Sequence, residues 1–170
     1  MKHLILTGFM GVGKTTLGKI LADTLQRPFI DTDQRVEEQS GMTVENYIKR
    51  FGWEKFRRLE KLLLQQTLLQ DSAVIATGGG AVTEEKNRSA MMRHGCVVWV
   101  ETSPFLFLQR LRQMEGRPLV AEKTNQELLQ LYRQREPFYK KCHFRVTNND
   151  PTPKQVANSI LDQYRSFHAS

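Results

Sequence analysis

Eight residues close to the amino terminus, Gly8-Phe9-Met10-Gly11-Val12-Gly13-Lys14-Thr15, have the types and spacing to hold a polyphosphate. They read G-x-x-x-x-G-K-T. An apolar run, Leu4-Ile5-Leu6, precedes them as an expected buried strand, and a run from Leu17 to Ala22 follows as an expected helix. Glycines let successive backbone N–H groups turn toward phosphate oxygens, and the helix adds the positive end of its dipole. Lys14 would reach the β- and γ-phosphates, and the Thr15 hydroxyl would ligate Mg²⁺. A glycine-rich turn that binds nothing is the bland alternative, and Lys-Thr directly after the second fixed glycine argues against it. The expectation is ATP with Mg²⁺, held by Gly11, Val12, Gly13, Lys14, Thr15 and Thr16.

Three further groups of residues could do chemistry. Asp31-Thr32-Asp33 ends an expected second strand, where two carboxylates two residues apart project to one side if the backbone stays extended. Asp31 would then approach the metal through water, since Mg²⁺ keeps several waters, and Asp33 would meet a substrate hydroxyl. Asp33 also reads as a plain N-cap of the next helix, and the two roles are not exclusive. Gly78-Gly79-Gly80 directly follows an expected third strand, where missing side chains let a ligand approach backbone N–H donors. The same tripeptide is also the composition of a flexible turn. Arg57, Arg117 and Arg135 are candidate anion ligands, with Glu60 one turn from Arg57. By residue-level reasoning alone they do not stand out from the other basic positions.

The elements that must position these groups alternate along the chain. Helical spacing runs from Lys14 to about Leu25, Pro28 breaks it, and Phe29-Ile30-Asp31 reads as a strand. Helical patterning covers Gln34 to Gln39, then Val44 to Phe51 behind Thr43 as N-cap, then Glu54 to Leu69 with Phe56, Leu59, Leu62, Leu63 and Leu69 on one side. Strands are expected at Ala73 to Ala76, at Cys96 to Val100 and, more weakly, at His143 to Val146. Ser103-Pro104 opens a helix to about Arg112, Thr124-Asn125-Gln126-Glu127 is a capping box opening one to about Arg135, and Thr152-Pro153 starts a last one through Phe167. Glu115 to Leu119 interrupts the periodicity and is expected to be an exposed, mobile loop. Strands alternating with helices predict an α/β, three-layer fold with a five-stranded parallel sheet covered on both faces.

Size and charge bound the rest. With 170 residues and 39% hydrophobic content the chain is expected to be one compact domain. The +7 net charge favours anionic partners, but it is spread along the chain without a basic tail. Cys96 and Cys142 each open a strand and read as buried reduced thiols, and the four histidines lack metal-ligand spacing. No long apolar run or signal-like amino terminus is visible. The expectation is a cytoplasmic monomer acting on small molecules, with no nucleic acid or membrane partner.

In order and in register, Gly8 to Thr16, Asp31-Thr32-Asp33, Phe56-Arg57-Arg58-Leu59-Glu60, Thr77-Gly78-Gly79-Gly80, Arg117-Pro118-Leu119 and Arg135-Glu136-Pro137-Phe138-Tyr139 resemble the shikimate kinase family. The resemblance implies a phosphate-loop (P-loop) kinase architecture with sheet order 2-3-1-4-5, a substrate-binding helical region at about 32–60 and a mobile lid at about 112–124. It implies transfer of the ATP γ-phosphoryl group to the 3-hydroxyl of shikimate, toward chorismate and the aromatic amino acids. By matching position, Asp33 would bind and help activate the hydroxyl, Arg57 and Arg135 would hold the substrate carboxylate, and Gly79 and Gly80 would donate backbone N–H groups to the substrate. Gly78 would lie near the γ-phosphate, and Val44, Phe56, Pro118 and Leu119 would line the pocket. Arg117 would close over the transferring group, and Arg110 would stack on adenine opposite the loop from Asn148 to Pro153. Rival readings are a gluconate-type metabolite kinase of the same fold, a silent nucleotide-binding regulator and a basic nucleic-acid-binding ATPase. The context of Asp33 and Arg57 favours shikimate over gluconate. The presence of Lys14, Asp33 and Arg117 argues against the second rival, and the absence of a concentrated basic face argues against the third.

Overall fold

The computed structural model describes residues 2–114, 120, 122–149 and 152–169. The expected lid residue Arg117, with Pro118 and Leu119, lies outside the described residues, as do positions 150 and 151 of the expected adenine-side loop.

Five strands, β1 (His3–Thr7), β2 (Phe29–Asp31), β3 (Val74–Ala76), β4 (Gly95–Glu101) and β5 (Phe144–Thr147), form one sheet in the order β2-β3-β1-β4-β5. Every pairing is parallel, with Ile5 opposite Ile75 on one side and Val97 on the other. Nearly every residue of β1, β3 and β4 is buried, which is why these strands read as continuous apolar runs rather than alternating ones. The step from β1 to β2 runs one way across the sheet and all later steps run the other. With right-handed crossovers, helix α1 (Lys14–Leu25) therefore covers one face. Helices α2 (Thr32–Ser40), α3 (Val44–Leu68), α4 (Glu85–His94), α5 (Pro104–Arg112) and α6 (Asn125–Tyr139) belong to crossovers on the other. Helix α7 (Pro153–Ala169) returns to pack beside α1. The reversal falls between β1 and β3, so the phosphate loop and the three glycines meet at the crevice where such sheets bind ligands.

Several boundaries differ from expectation for local reasons. The backbone does not stay extended through Asp33. Asp31 is the N-cap of α2, its Oδ1 accepting from the Asp33 N–H at 2.9 Å, and Asp33 already lies in the first helical turn. Helix α3 joins two helical stretches across Gly52 (φ 83°, ψ 166°), close to the expected break, but Leu62 and Leu69 turn out to be exposed. Helix α4 was not anticipated, since of Glu85 to His94 only Asn87 and Met91 are buried and no apolar stripe marks it. Helix α6 runs past Arg135 to Tyr139 with Pro137 inside it, at the cost of one i→i−4 hydrogen bond. Its capping box at Thr124 and Glu127 is formed as expected. The Ser103 side chain makes no capping bond; its N–H instead donates to Asn149 Oδ1 at 2.8 Å. Cys96 is buried, its thiol pushed up to about 12 by burial, while Cys142 is only half-buried; both are free thiols.

Two apolar centres result. The large one spans both faces of the sheet; a small one, Val36, Ile48, Phe56 and Leu63, sits between α2 and α3.

His3 makes the fold sensitive to acid. Its ring is buried, with Nδ1 accepting from the Ala73 N–H at 3.1 Å and Nε2 donating to the Leu68 carbonyl at 3.2 Å. A protonated ring would set an N–H against the Ala73 N–H, and burial above all holds its pKa below the usual 6.5. The unfolded chain binds a proton near 6.5 that the folded chain refuses, so stability is lost as pH falls below that value. The expected result is a thermal midpoint that drops between pH 7.5 and 5.5. Replacing His3→Gln should remove part of that slope, and an unchanged slope would exclude His3 as a source.

Candidate active site

The phosphate loop connects β1 to α1 and owes its shape to backbone requirements. Gly13, the N-cap of α1, has φ 95°, and a Cβ there would lie 2.5 Å from Asn148 Nδ2. Asn148 is buried at the end of β5 and donates through that nitrogen to the Val12 carbonyl at 2.7 Å, tying the loop to the far side of the sheet. Lys14 arches back over the loop, its Nζ donating to the Gly8 and Phe9 carbonyls at 2.8 and 2.9 Å. Thr15 Oγ1 donates to Asp31 Oδ2 at 3.0 Å, so the hydroxyl and carboxylate expected near a metal are neighbours.

Two cavities open along the crevice. The first, about 410 Å³, is lined by Gly11, Gly13, Lys14, Thr15 and Thr16, with Arg110 on its rim. The side chain of Val12 is buried and that residue does not line it. Arg110 lies within 3.4 Å of the Gly11 and Asn148 carbonyls. The second cavity, about 560 Å³, is lined by Arg57, Arg135, Gly78, Gly79 and Gly80, with Val44, Ile48, Trp53 and Phe56 as its apolar wall. Asp31, Asp33, Gly79, Met10 and Met114 line both cavities, so the two abut at these residues. Gly78 lines only the second, and its N–H donates to the buried Thr32 hydroxyl at 2.9 Å.

Two arginines, Arg57 and Arg135, face the second cavity beside the carboxylates of Asp31, Asp33, Glu37 and Glu60. Arg57 NH1 meets Glu60 Oε2 at 2.6 Å, and its guanidinium packs on the Trp53 and Phe56 rings at 5.4 and 5.1 Å. Glu60 is almost wholly buried, and burial pushes its carboxyl above the usual range against the pull of Arg57. Arg135 is buried too, its guanidinium 5.9 Å from the centre of the Phe9 ring in the phosphate loop. The glycines are there because the side chains come so close. A Cβ on Gly80 would fall 2.1 Å from Arg57 NH2, and one on Gly78 would fall 2.6 Å from Glu60 Oε1 and 2.8 Å from Asp33 Oδ1.

Asp33, Arg57, Arg135, Gly79 and Gly80 are thus brought to one cavity, and Lys14, Thr15, Thr16, Asp31 and Arg110 to the adjoining one. Sequence reasoning missed the buried Tyr139, whose hydroxyl donates to the Gly79 carbonyl, and the structural part played by Asn148. Tyr139 carried a signal, four residues after Arg135 on a helix, which Pro137 concealed.

A polyphosphate cradle joined at two carboxylates, Asp31 and Asp33, to a cavity bearing two arginines defines a P-loop phosphotransferase acting on a small anionic alcohol. The family model for shikimate kinase matches residues 10–165. A shikimate kinase of Caldanaerobacter subterraneus subsp. tengcongensis is 38% identical over 165 residues, 96% of either chain. Among solved structures, shikimate kinase from Acinetobacter baumannii in complex with shikimate superposes with a TM-score of 0.95 at 34% identity, covering 100% of this chain and 96% of that one. Shikimate kinase from Aquifex aeolicus gives 0.86 at 30% identity, covering 98% of each chain. The chain belongs to the shikimate kinase family, and it is a small-molecule kinase.

Proposed function

We propose that this chain transfers the γ-phosphoryl group of ATP to the 3-hydroxyl of shikimate, giving shikimate 3-phosphate and ADP on the route to chorismate and the aromatic amino acids. The observation that supports this most directly is that Asp33 lines both cavities, between Lys14 and Thr15 on one side and Arg57 and Arg135 on the other. The triphosphate lies along Gly11 to Thr16 with the base toward Arg110, and the acceptor carboxylate lies between the two guanidinium groups, which can grip two oxygens at once. Gly79 and Gly80 offer backbone donors to the acceptor, and Asp33 accepts the proton of the attacking hydroxyl. The transition state is loose, so catalysis is chiefly alignment and counter-charge, from Lys14 and, by the family resemblance, Arg117.

The Thr15 hydroxyl beside the Asp31 carboxylate suits a hard divalent cation that keeps part of its water shell. Thr15 directly and Asp31 through water would hold Mg²⁺, which when bound would neutralise charge on the β- and γ-phosphates. Among the described residues no group of three or more His, Cys, Asp or Glu side chains could hold a metal. No helix among the described residues is long and apolar enough to cross a membrane. The reading includes a monomer in the cytoplasm, with the helices at about 32–60 as the acceptor wall and the segment at about 112–124 as the lid.

Coupled ADP release tests the proposal. Release from ATP is expected to rise at least about a hundredfold on adding shikimate, and to stay near the hydrolysis background with gluconate. Equal stimulation by gluconate, or none by shikimate, would overturn the acceptor assignment.

A further inference from the structure

Asn148 has no part in the mechanism above, yet its amide reaches the peptide on which the phosphate loop turns into α1. The residue directly follows β5, is 4% exposed, and is fixed through its own backbone: its N–H donates to the Glu101 carbonyl at 2.7 Å and its carbonyl accepts from the Thr102 hydroxyl. Its Nδ2 donates to the Val12 carbonyl at 2.7 Å, and only the nitrogen end of an amide can do so. The Val12–Gly13 bond is trans, and in a planar trans peptide the C=O and the N–H point in opposite directions. A Val12 carbonyl held outward on Asn148 therefore aims the Gly13 N–H inward. Of these two residues it is Gly13 that lines the phosphate cavity. We infer that Asn148 is a positioning residue: it selects the orientation of the Val12–Gly13 peptide that presents the Gly13 N–H to the polyphosphate.

The local chemistry of the loop leaves that choice open. Gly13 has φ 95°, and a residue without a Cβ tolerates either orientation of the peptide before it. A Cβ on Gly13 would lie 2.5 Å from Asn148 Nδ2, so the amide packs directly against the peptide it steers. The other end of the amide shows why the residue is asparagine. Its Oδ1 is buried and meets no hydrogen-bond partner among the described residues. A buried oxygen left unpaired costs stability, and an apolar side chain of similar size would avoid that cost while giving up the donor to Val12.

The inference rests on the nucleotide half of the reading above, and the test separates the two. Asn148→Asp keeps the shape and turns an oxygen toward the carbonyl; Asn148→Leu removes the donor without adding charge. Either variant alone carries the test. Affinity for ADP with Mg²⁺, titrated calorimetrically without acceptor, is expected to fall about tenfold or more, as for one hydrogen bond to a charged group. Affinity for shikimate is expected to stay within about twofold, since Asn148 does not line the acceptor cavity. In protein labelled with 15N-glycine, the Gly13 amide proton is expected to move downfield at saturating ADP in the parent and to stay near its free position in the variant. An ADP loss below about threefold, an equal loss on shikimate, or a Gly13 amide that responds alike in parent and variant would overturn the inference while leaving the nucleotide reading intact. A parent chain that does not bind ADP would overturn both.

Discussion

Replacing Asp33→Asn is expected to stop turnover while nucleotide binding survives. Asparagine matches the shape of aspartate, so the first turn of α2 and the bond from the residue-33 N–H to Asp31 Oδ1 remain. What changes is the chemistry at the junction of the cavities. The carboxylate can accept the proton of an attacking hydroxyl and orient it by charge, and the amide can do neither. A positioned base contributes roughly 10²- to 10⁴-fold, and the shikimate-dependent rate of ADP release should fall by that order. Lys14 and Thr15, on the nucleotide side, are bound to other groups, so ATP affinity measured by titration should stay within about threefold. Turnover within about tenfold of the parent would remove Asp33 from the role.

The second large effect is expected at Arg57, where one substitution acts twice. Arg57→Met removes one of two cations facing the acceptor and also leaves Glu60 without the guanidinium 2.6 Å from its Oε2. The other oxygen of Glu60 is already buried without a hydrogen-bond partner. Breaking a buried pair by deleting one partner costs about 3–5 kcal/mol, and with the Arg57 side chain 31% exposed the lower end is expected near neutral pH. The sign with pH follows from Glu60, whose carboxyl is already held above its usual 4.5 by burial and would rise further without Arg57. A raised carboxyl binds its proton more tightly folded than unfolded. Its stabilising contribution is therefore complete below about 4.5 and lost as pH climbs through the folded value. Arg57→Met should accordingly be closer to the parent at pH 5 than at pH 8 in denaturant melts. Adding Glu60→Gln should restore much of the stability at pH 8 without restoring the KM for shikimate. A variant as stable as the parent at pH 8 would mean that Glu60 does not depend on Arg57.

The parts of this site that were legible in the sequence are those whose requirement is local. A phosphate loop needs glycine, lysine and threonine within eight consecutive residues, and buried parallel strands such as β1 and β4 need unbroken apolar runs. Asp31 and Gly78 to Gly80 were legible by their place at strand ends. The choice of Arg57 and Arg135 was not, because what sets them apart is the tertiary meeting of α3, α6 and the glycine loop; only the ordered resemblance to a family selected them. Helix α4 escaped because two buried residues in ten make no periodic signal. Tyr139 escaped because Pro137 suggested an end to α6, and with the helix cut short its four-residue relation to Arg135 disappeared. The extended pair expected at Asp31 and Asp33 failed for a similar reason, as the Asp31 side chain caps and starts the helix that carries Asp33 away from strand geometry.

The separation of the small apolar centre, Val36, Ile48, Phe56 and Leu63, from the large one has an evolutionary consequence. In the proposed reading part of the acceptor wall, Ile48 and Phe56, is built on this small centre, while the phosphate loop packs on the large one. A lineage can thus rework which metabolite it accepts by trading residues in α2 and α3, with the phosphate-handling chemistry inherited intact.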